Sequence, residues 1–203
     1  MNLPNKLTMA RILLVPLFVV FYFLPFDFAP YVAVALFVVA ACTDFLDGYI
    51  ARKYNLVTDL GKLLDPIADK TLVTAALFCV VATNPLQYGA GLTGQIGQHG
   101  QVILAVCGII VLARELIISA VRQIAATKGV VIQANVYGKI KTITQDVCLP
   151  ILIVLNGAKY VNSLFFDVVW WVGFALLIVS TAITILSGVV YLVQNKKVFW
   201  ESK

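Results

Sequence analysis

Charged residues are scarce in this 203-residue chain: they make up 12% of it, while 61% of the residues are hydrophobic and the mean hydropathy is +0.95. This composition excludes an ordinary soluble domain, in which about a quarter of the residues are charged. The chain also has a single histidine, His99, and four cysteines that lack the spacing of metal ligands. Neither residue type therefore predicts a metal centre. The sequence shows no internal repeat and no low-complexity tract.

Long apolar segments predict an all-α integral membrane protein that forms a single domain over residues 1–203. A transmembrane helix needs about 20 apolar residues, and six such segments can be placed, at 9–26, 31–52, 61–83, 101–127, 140–158 and 165–194. The first follows Lys6 and Arg11 without a convincing cleavage site, so we expect a retained helix and not a removable signal. Five glycines in segment 84–100 predict a flexible connection, and Trp170, Trp171 and Trp200 are expected to anchor helices at the membrane interface.

The distribution of basic residues predicts the orientation of these helices. With the N-terminus in the cytosol, 14 of the 15 basic residues lie on or near the cytosolic side and only Lys159 lies clearly outside. The positive-inside rule therefore predicts that both termini are cytosolic. The net charge of +5 follows from this topology and from attraction to anionic lipid, and it does not indicate nucleic-acid binding. The cytosolic set is Lys6, Arg11, Arg52, Lys53, Lys62, Lys70, Arg114, Arg122, Lys128, Lys139, Lys141, Lys196, Lys197 and Lys203.

Four aspartates stand at the predicted cytosolic ends of the second and third spans. Asp44 and Asp47 share one helical stripe with Gly48 and Ala51, and Asp65 and Asp69 share another with Gly61. Two helices facing each other would bring the four carboxylates into one small volume. Ionised carboxylates at membrane depth repel one another, so they persist only with cations or protons between them. The pattern therefore predicts a metal site.

The chemistry of this site follows from its donor atoms. Carboxylate oxygens suit Mg²⁺, Mn²⁺ or Ca²⁺, and two such ions can bind a pyrophosphate and offset the charge of a phosphoryl transfer. Gly48 and Ala51 leave room for a nucleotide, Gly61 permits close approach of a helix or substrate, and Arg52 is placed to donate to a phosphate or a base. Helix packing through small residues is the simpler alternative. It explains the small residues but not four aspartates on two helix faces.

The complete pattern resembles the signature of the CDP-alcohol phosphatidyltransferases: Asp44-x-x-Asp47-Gly48-x-x-Ala51-Arg52, eight residues, then Gly61-x-x-x-Asp65-x-x-x-Asp69. The resemblance implies a membrane enzyme with six transmembrane helices, commonly a homodimer. Such an enzyme moves a phosphatidyl group from a CDP-linked lipid to an alcohol and releases CMP. The resemblance further implies that the four aspartates hold two divalent cations, that Gly48, Arg52 and Thr58 contact the CDP group, and that Asp69 is the general base.

A cluster of basic residues between positions 114 and 141 indicates what kind of alcohol could be the acceptor. Arg114 lies inside the fourth span, where it either pairs with its neighbour Glu115 or belongs to a site. Arg122, Lys139 and Lys141 are then expected to form an unpaired cationic group, which suits a phosphorylated acceptor. The alternative is that these residues serve only the positive-inside topology.

Three further segments indicate which members of the family the chain resembles most. The opening MNLPNKLTMARI, the stretch ARELIIS and the stretch GKIKTITQ resemble bacterial plasma-membrane members of the family, whose acceptor is glycerol 3-phosphate and whose donor is CDP-diacylglycerol. A related enzyme with another acceptor, as in the formation of cardiolipin or phosphatidylinositol phosphate, would share the signature. A cation transporter would also use membrane aspartates, but the sequence lacks an inverted repeat.

Overall fold

The computed structural model describes residues 3–53, 59–88, 91–127, 136–158 and 163–195, and the described part of the chain contains helices and no strands. Six long helices coincide within a few residues with the six predicted spans, and one short helix was not predicted. Several residues with predicted roles lie outside the described part of the chain: Thr58, Lys128, Lys159, Lys196, Lys197, Trp200 and Lys203. The helices are α1 (Leu3–Phe23), α2 (Ala29–Lys53), α3 (Asp59–Thr83), α4 (Gly91–Gln98), α5 (Gly100–Thr127), α6 (Val136–Ala158) and α7 (Ser163–Gln194).

Within the described residues, four helices, α1, α5, α6 and α7, are long and apolar enough to cross a membrane by length and composition. In the other two long helices, the described side chains form the apolar stretches Ala29–Thr43 of α2 and Lys70–Thr83 of α3. The remaining part of each of these two helices carries the charged residues of the aspartate signature. The charged signature therefore interrupts the apolar character of α2 and α3 at neighbouring ends of the two helices.

Many large apolar side chains lie on the outside of the helix bundle. Leu13, Ile109 and Leu116 are each about two-thirds exposed. Exposed apolar surface on this scale is not stable against water, and it is the surface that a helix bundle presents to lipid chains. The outer face therefore agrees with the membrane setting predicted from composition.

The buried core among the described residues is formed by side chains of α1, α2, α3, α5, α6 and α7. Ala33 and Ala40 on α2 are fully buried, and their small side chains allow the helix backbones to approach closely. The Phe18 ring on α1 meets the Phe37 ring edge-on at 6.0 Å. Arg11 is also buried here and donates from Nε to the Ala40 carbonyl oxygen at 3.2 Å. Arg11 therefore joins α1 to α2, in addition to the topological role that the sequence indicates.

The glycine-rich segment 84–100 is not the flexible connection that its composition predicts. Its described residues form a 3₁₀ turn, Pro85–Tyr88, followed by α4. A Cβ atom on Gly97 would lie 2.2 Å from the Leu86 carbonyl oxygen, so this glycine is required by close packing. The same carbonyl accepts a hydrogen bond from Trp170 Nε1 at 2.9 Å, and Trp170 is fully buried. The prediction that Trp170 is an interfacial anchor is therefore wrong, because its indole binds this packed segment.

Candidate active site

A cavity of about 450 Å³ lies between α3, α5 and α6. Its apolar lining includes Val73 of α3 and Val111 and Leu112 of α5. The cavity brings together all four residues that the sequence assigns to an acceptor site, together with one further cation and one carboxylate. The charged lining residues are Lys70, Arg114, Glu115, Arg122, Lys139 and Lys141.

Glu115 is the only acidic residue among the described lining residues, and it binds two of the cations. Its Oε1 accepts from Arg114 Nη1 at 2.8 Å and from Lys141 Nζ at 2.7 Å. Of the two alternatives for Arg114, the pairing with Glu115 is observed, while its role in an acceptor site stays a prediction. The expectation that Lys141 is unpaired is wrong, because Lys141 is only 5% exposed and a buried ammonium requires a counter-charge. One carboxylate thus joins α5 to α6 across the cavity.

Arg114 is held from a third helix as well. Its Nη2 donates to Ser187 Oγ of α7 at 2.6 Å, and a Cβ atom on Gly188 would lie 3.1 Å from Arg114 Cγ. The absence of a side chain at Gly188 therefore gives the arginine stem its space. Arg114 Nε is buried and has no hydrogen-bond partner among the described residues. The guanidinium group is thus fixed on one side, and its Nε–H stays unused among the described residues.

Arg122 and Lys139 are the exposed cations of the cavity. Arg122 Nε donates to the Tyr191 hydroxyl at 3.3 Å, and its guanidinium carbon lies 5.7 Å from the centre of the Tyr191 ring. These contacts orient the guanidinium without neutralising it. Neither Arg122 nor Lys139 has an ion-pair partner among the residues that the structure describes. Both charges therefore remain available to an anion.

Lys70 is the cavity residue whose role the sequence reasoning missed. The sequence predicts for Lys70 only a place on the cytosolic side of the membrane. In the structure Lys70 lines the cavity, and its Nζ donates a hydrogen bond to Ser119 Oγ of α5. Its partner is neutral, so the ammonium charge is uncompensated by this contact. A signal was present in the sequence, because Lys70 directly follows Asp69 and stands among apolar residues, as Arg114 does.

The four aspartates lie on two helices that contact each other. Asp44 and Asp47 belong to α2, and Asp65 and Asp69 belong to α3. The helical backbone confirms the i, i+3 and i, i+4 spacing that puts each pair on one stripe. Their side chains lie outside what the structure describes, as do those of Ala51, Arg52 and the two glycines, Gly48 and Gly61. Convergence of the four carboxylates therefore stays a prediction.

The described side chains do not include those of the four aspartates. Within that part of the chain, no three His, Cys, Asp or Glu side chains form a group that could hold a metal ion. Cys79, Cys107 and Cys148 are buried in helices, as expected for small apolar residues, while Cys42 is exposed. The aspartate signature remains the candidate donor set.

The family is identified by comparison with known proteins. Residues 1–186 match the model of the CDP-alcohol phosphatidyltransferase family. The chain belongs to this family, which confirms the resemblance found in its signature.

Two bacterial relatives match over nearly their full length, and a plant relative matches over about half of its own length. The chain is 35% identical to the CDP-diacylglycerol–glycerol-3-phosphate 3-phosphatidyltransferase of Bacillus subtilis (strain 168), over 99% of this chain and 96% of the relative. It is also 35% identical to the protein of the same name from Rickettsia bellii (strain RML369-C), over 98% and 97% of the two chains. A cardiolipin synthase (CMP-forming) from Oryza sativa subsp. japonica is 36% identical, over 95% of this chain and 56% of the relative.

Proposed function

We propose that this protein transfers the phosphatidyl group of CDP-diacylglycerol to glycerol 3-phosphate, forming phosphatidylglycerol phosphate and CMP in phospholipid biosynthesis. It would thus be a bacterial phosphatidylglycerophosphate synthase, the enzyme named for most of the relatives described above. The observation that carries the proposal is the cavity between α3, α5 and α6, whose described lining includes five cations and one carboxylate, in a chain that has the family's signature.

The acceptor cavity suits a phosphate monoester. Glu115 offsets part of the charge of Arg114 and Lys141, whereas Lys70, Arg122 and Lys139 have no carboxylate partner among the described residues. Guanidinium and ammonium groups form short charge-assisted hydrogen bonds to phosphate oxygens. A phosphate dianion in this cavity would therefore replace the water around the exposed cations and meet a surplus of positive charge.

The donor site would lie at the signature on α2 and α3. Gly48, Ala51, Arg52, Thr58 and Gly61 would hold the CDP part of the lipid, as the family resemblance implies. The carboxylates of Asp44, Asp47, Asp65 and Asp69 are hard oxygen donors and fit two Mg²⁺ or Mn²⁺ ions. When bound, these cations would offset negative charge on the pyrophosphate and on the leaving CMP.

Asp69 would stand between the two proposed sites. It ends the signature on α3, and the next residue, Lys70, lines the acceptor cavity. Its carboxylate would take the proton from the primary hydroxyl of glycerol 3-phosphate. The hydroxyl oxygen would then attack the phosphorus that carries diacylglycerol, and the bond from this phosphorus to the CMP oxygen would break. The sequence shows no serine or cysteine placed beside a base, which favours direct attack over a covalent intermediate.

The membrane arrangement is part of the proposal. All six long helices would cross the bacterial plasma membrane, with both termini and the cavity at the cytosolic face and with a homodimer as the assembly. The distribution of lysine and arginine supports this orientation. The apolar stretches of α2 and α3 would complete the set of four longer apolar helices.

A second acceptor deserves a test because a cardiolipin synthase is among the relatives. That reaction would use phosphatidylglycerol, whose phosphate is a diester with one negative charge, or an inositol phosphate in a further related enzyme. The cations described in the cavity favour the phosphate monoester of glycerol 3-phosphate over the diester of phosphatidylglycerol. Inositol phosphate is also a monoester, so the assay below is needed to distinguish it. Cation transport, the remaining alternative, gives no role to the acceptor cavity.

The decisive experiment supplies the purified protein with CDP-diacylglycerol and one alcohol at a time, and measures CMP release. We expect release with glycerol 3-phosphate and little with phosphatidylglycerol or inositol phosphate. The Asp69→Asn variant is the matched control, because it preserves side-chain volume and removes the proposed base. Release only with phosphatidylglycerol would identify the cardiolipin reaction, and metal-driven ion flux without CMP release would identify a transporter.

A further inference from the structure

Gln145 of α6 is a buried polar residue that the proposed reaction has not yet used. It is only 4% exposed, it lines the cavity, and its Oε1 has no hydrogen-bond partner among the described residues. A buried amide oxygen without a partner is costly, and nearly all such groups in proteins are satisfied by protein, water or ligand. Its position at the cavity wall indicates that a molecule in the cavity is its partner.

The position of Gln145 along α6 separates it from the cations. Lys141 lies one helical turn before it, and Lys139 lies near the first residues of the helix, about 9 Å away along the helix axis. Val111 and Leu112 of α5 line the cavity without offering polar groups. The cavity thus combines cations that suit phosphate with a neutral amide one helical turn beyond Lys141, whose ammonium group already binds Glu115.

The chemistry of the amide restricts what it can bind. An amide oxygen needs an O–H or N–H donor, which a phosphate dianion does not provide. Glycerol 3-phosphate carries two hydroxyls, and the primary hydroxyl is the group that reacts. The secondary hydroxyl can donate to the amide oxygen and can also accept from the amide nitrogen, so it matches Gln145 in either orientation of the amide.

We infer that Gln145 hydrogen-bonds the secondary hydroxyl of the acceptor and thereby selects glycerol 3-phosphate over phosphorylated alcohols that lack this group. The inference rests on the proposed function. With the phosphate held by the cations and the secondary hydroxyl held by Gln145, two points of the acceptor are fixed and the primary hydroxyl is oriented for attack.

The test compares two acceptors, glycerol 3-phosphate and 3-hydroxypropyl phosphate. The second retains the phosphate and the reacting primary hydroxyl but lacks the secondary hydroxyl. For the unmodified protein we expect kcat/KM to be about tenfold or more higher with glycerol 3-phosphate, because a site built to bind a hydroxyl rejects the analogue that lacks it. In Gln145→Met, which nearly preserves volume, this ratio should fall close to one, mainly through loss of activity on glycerol 3-phosphate.

Two further variants serve as controls for this comparison. Thr144→Val is the matched control, because Thr144 is adjacent, does not line the cavity and uses its hydroxyl on the Ile140 and Lys141 carbonyl oxygens. It should leave the acceptor ratio unchanged. Gln145→Asn keeps an amide but withdraws it by one methylene, and it should lower the ratio as the methionine variant does, even if that variant accumulates poorly.

The possible outcomes separate this inference from the proposed function. An equal loss of activity on both acceptors, or an unchanged ratio in both Gln145 variants, would overturn the role of Gln145 and leave the proposed reaction standing. If the unmodified protein releases CMP with neither phosphate but does so with phosphatidylglycerol, the proposed function fails and the inference fails with it.

Discussion

Arg122 offers the sharpest test of the acceptor cavity, because it is exposed, oriented and free of any described ion-pair partner. Tyr191 holds its guanidinium at the cavity through a hydrogen bond and a ring contact, so little side-chain freedom is lost when phosphate binds. A charge-assisted hydrogen bond of this kind is worth about 1.5–3 kcal/mol. Arg122→Gln should therefore raise the KM for glycerol 3-phosphate roughly ten- to a hundredfold.

The effect should be specific to the acceptor. CMP release is measured while glycerol 3-phosphate and CDP-diacylglycerol are varied separately, on protein shown to be inserted in the membrane. We expect the KM for CDP-diacylglycerol to change little, because the signature on α2 and α3 is proposed to hold that lipid. Arg122→Lys should recover only part of the loss, since an ammonium group cannot reproduce the planar guanidinium fork.

Lys6 provides the matched control for the topological alternative. It is an exposed cation of α1 on the same predicted side of the membrane, but it does not line the cavity. Lys6→Gln should leave both KM values unchanged. Equal effects of Arg122→Gln on both substrates, or a defect only in membrane insertion, would refute the phosphate-binding role and support the positive-inside explanation.

Three other predictions concern the catalytic aspartates and the ion pairs of the cavity. Asp69→Asn should lower kcat by about 10²–10⁴-fold while CDP-diacylglycerol binding survives, and retention of more than about a tenth of the turnover would exclude the general-base role. Asp44→Asn or treatment with EDTA should nearly abolish CMP release, the latter reversibly with Mg²⁺ or Mn²⁺; full activity in metal-free buffer would contradict the two-cation site. Glu115→Ala should lower the melting temperature in detergent by leaving Lys141 and Arg114 without their counter-charge, at a cost of about 1–3 kcal/mol because Glu115 is partly exposed; the Glu115→Ala/Lys141→Met double variant should regain only the part of this stability that is due to Lys141, and an unchanged melting temperature in the single variant would show that the ion pairs are screened by solvent.

The local features of this protein could be predicted from its sequence. The long helices coincide with apolar segments because membrane helices satisfy their backbone hydrogen bonds within one segment. The aspartate signature resembles that of the family to which the chain belongs, and helix periodicity puts each pair of its aspartates on one stripe. The pairing of Arg114 with Glu115 was also predictable, since both partners are adjacent and an arginine within a span requires compensation.

The contacts between distant segments depended on tertiary structure. The rotation and spacing of α3, α5, α6 and α7 determine that Lys70 and Gln145 line one cavity and that Glu115 reaches Lys141. Composition also did not predict the packing of segment 84–100, where Gly97 and Gly100 lie against Asn84 and Leu86 and the Leu86 carbonyl oxygen accepts a hydrogen bond from Trp170. Periodicity determines which face a residue occupies on its own helix, whereas the neighbour that covers this face follows from packing among all the helices.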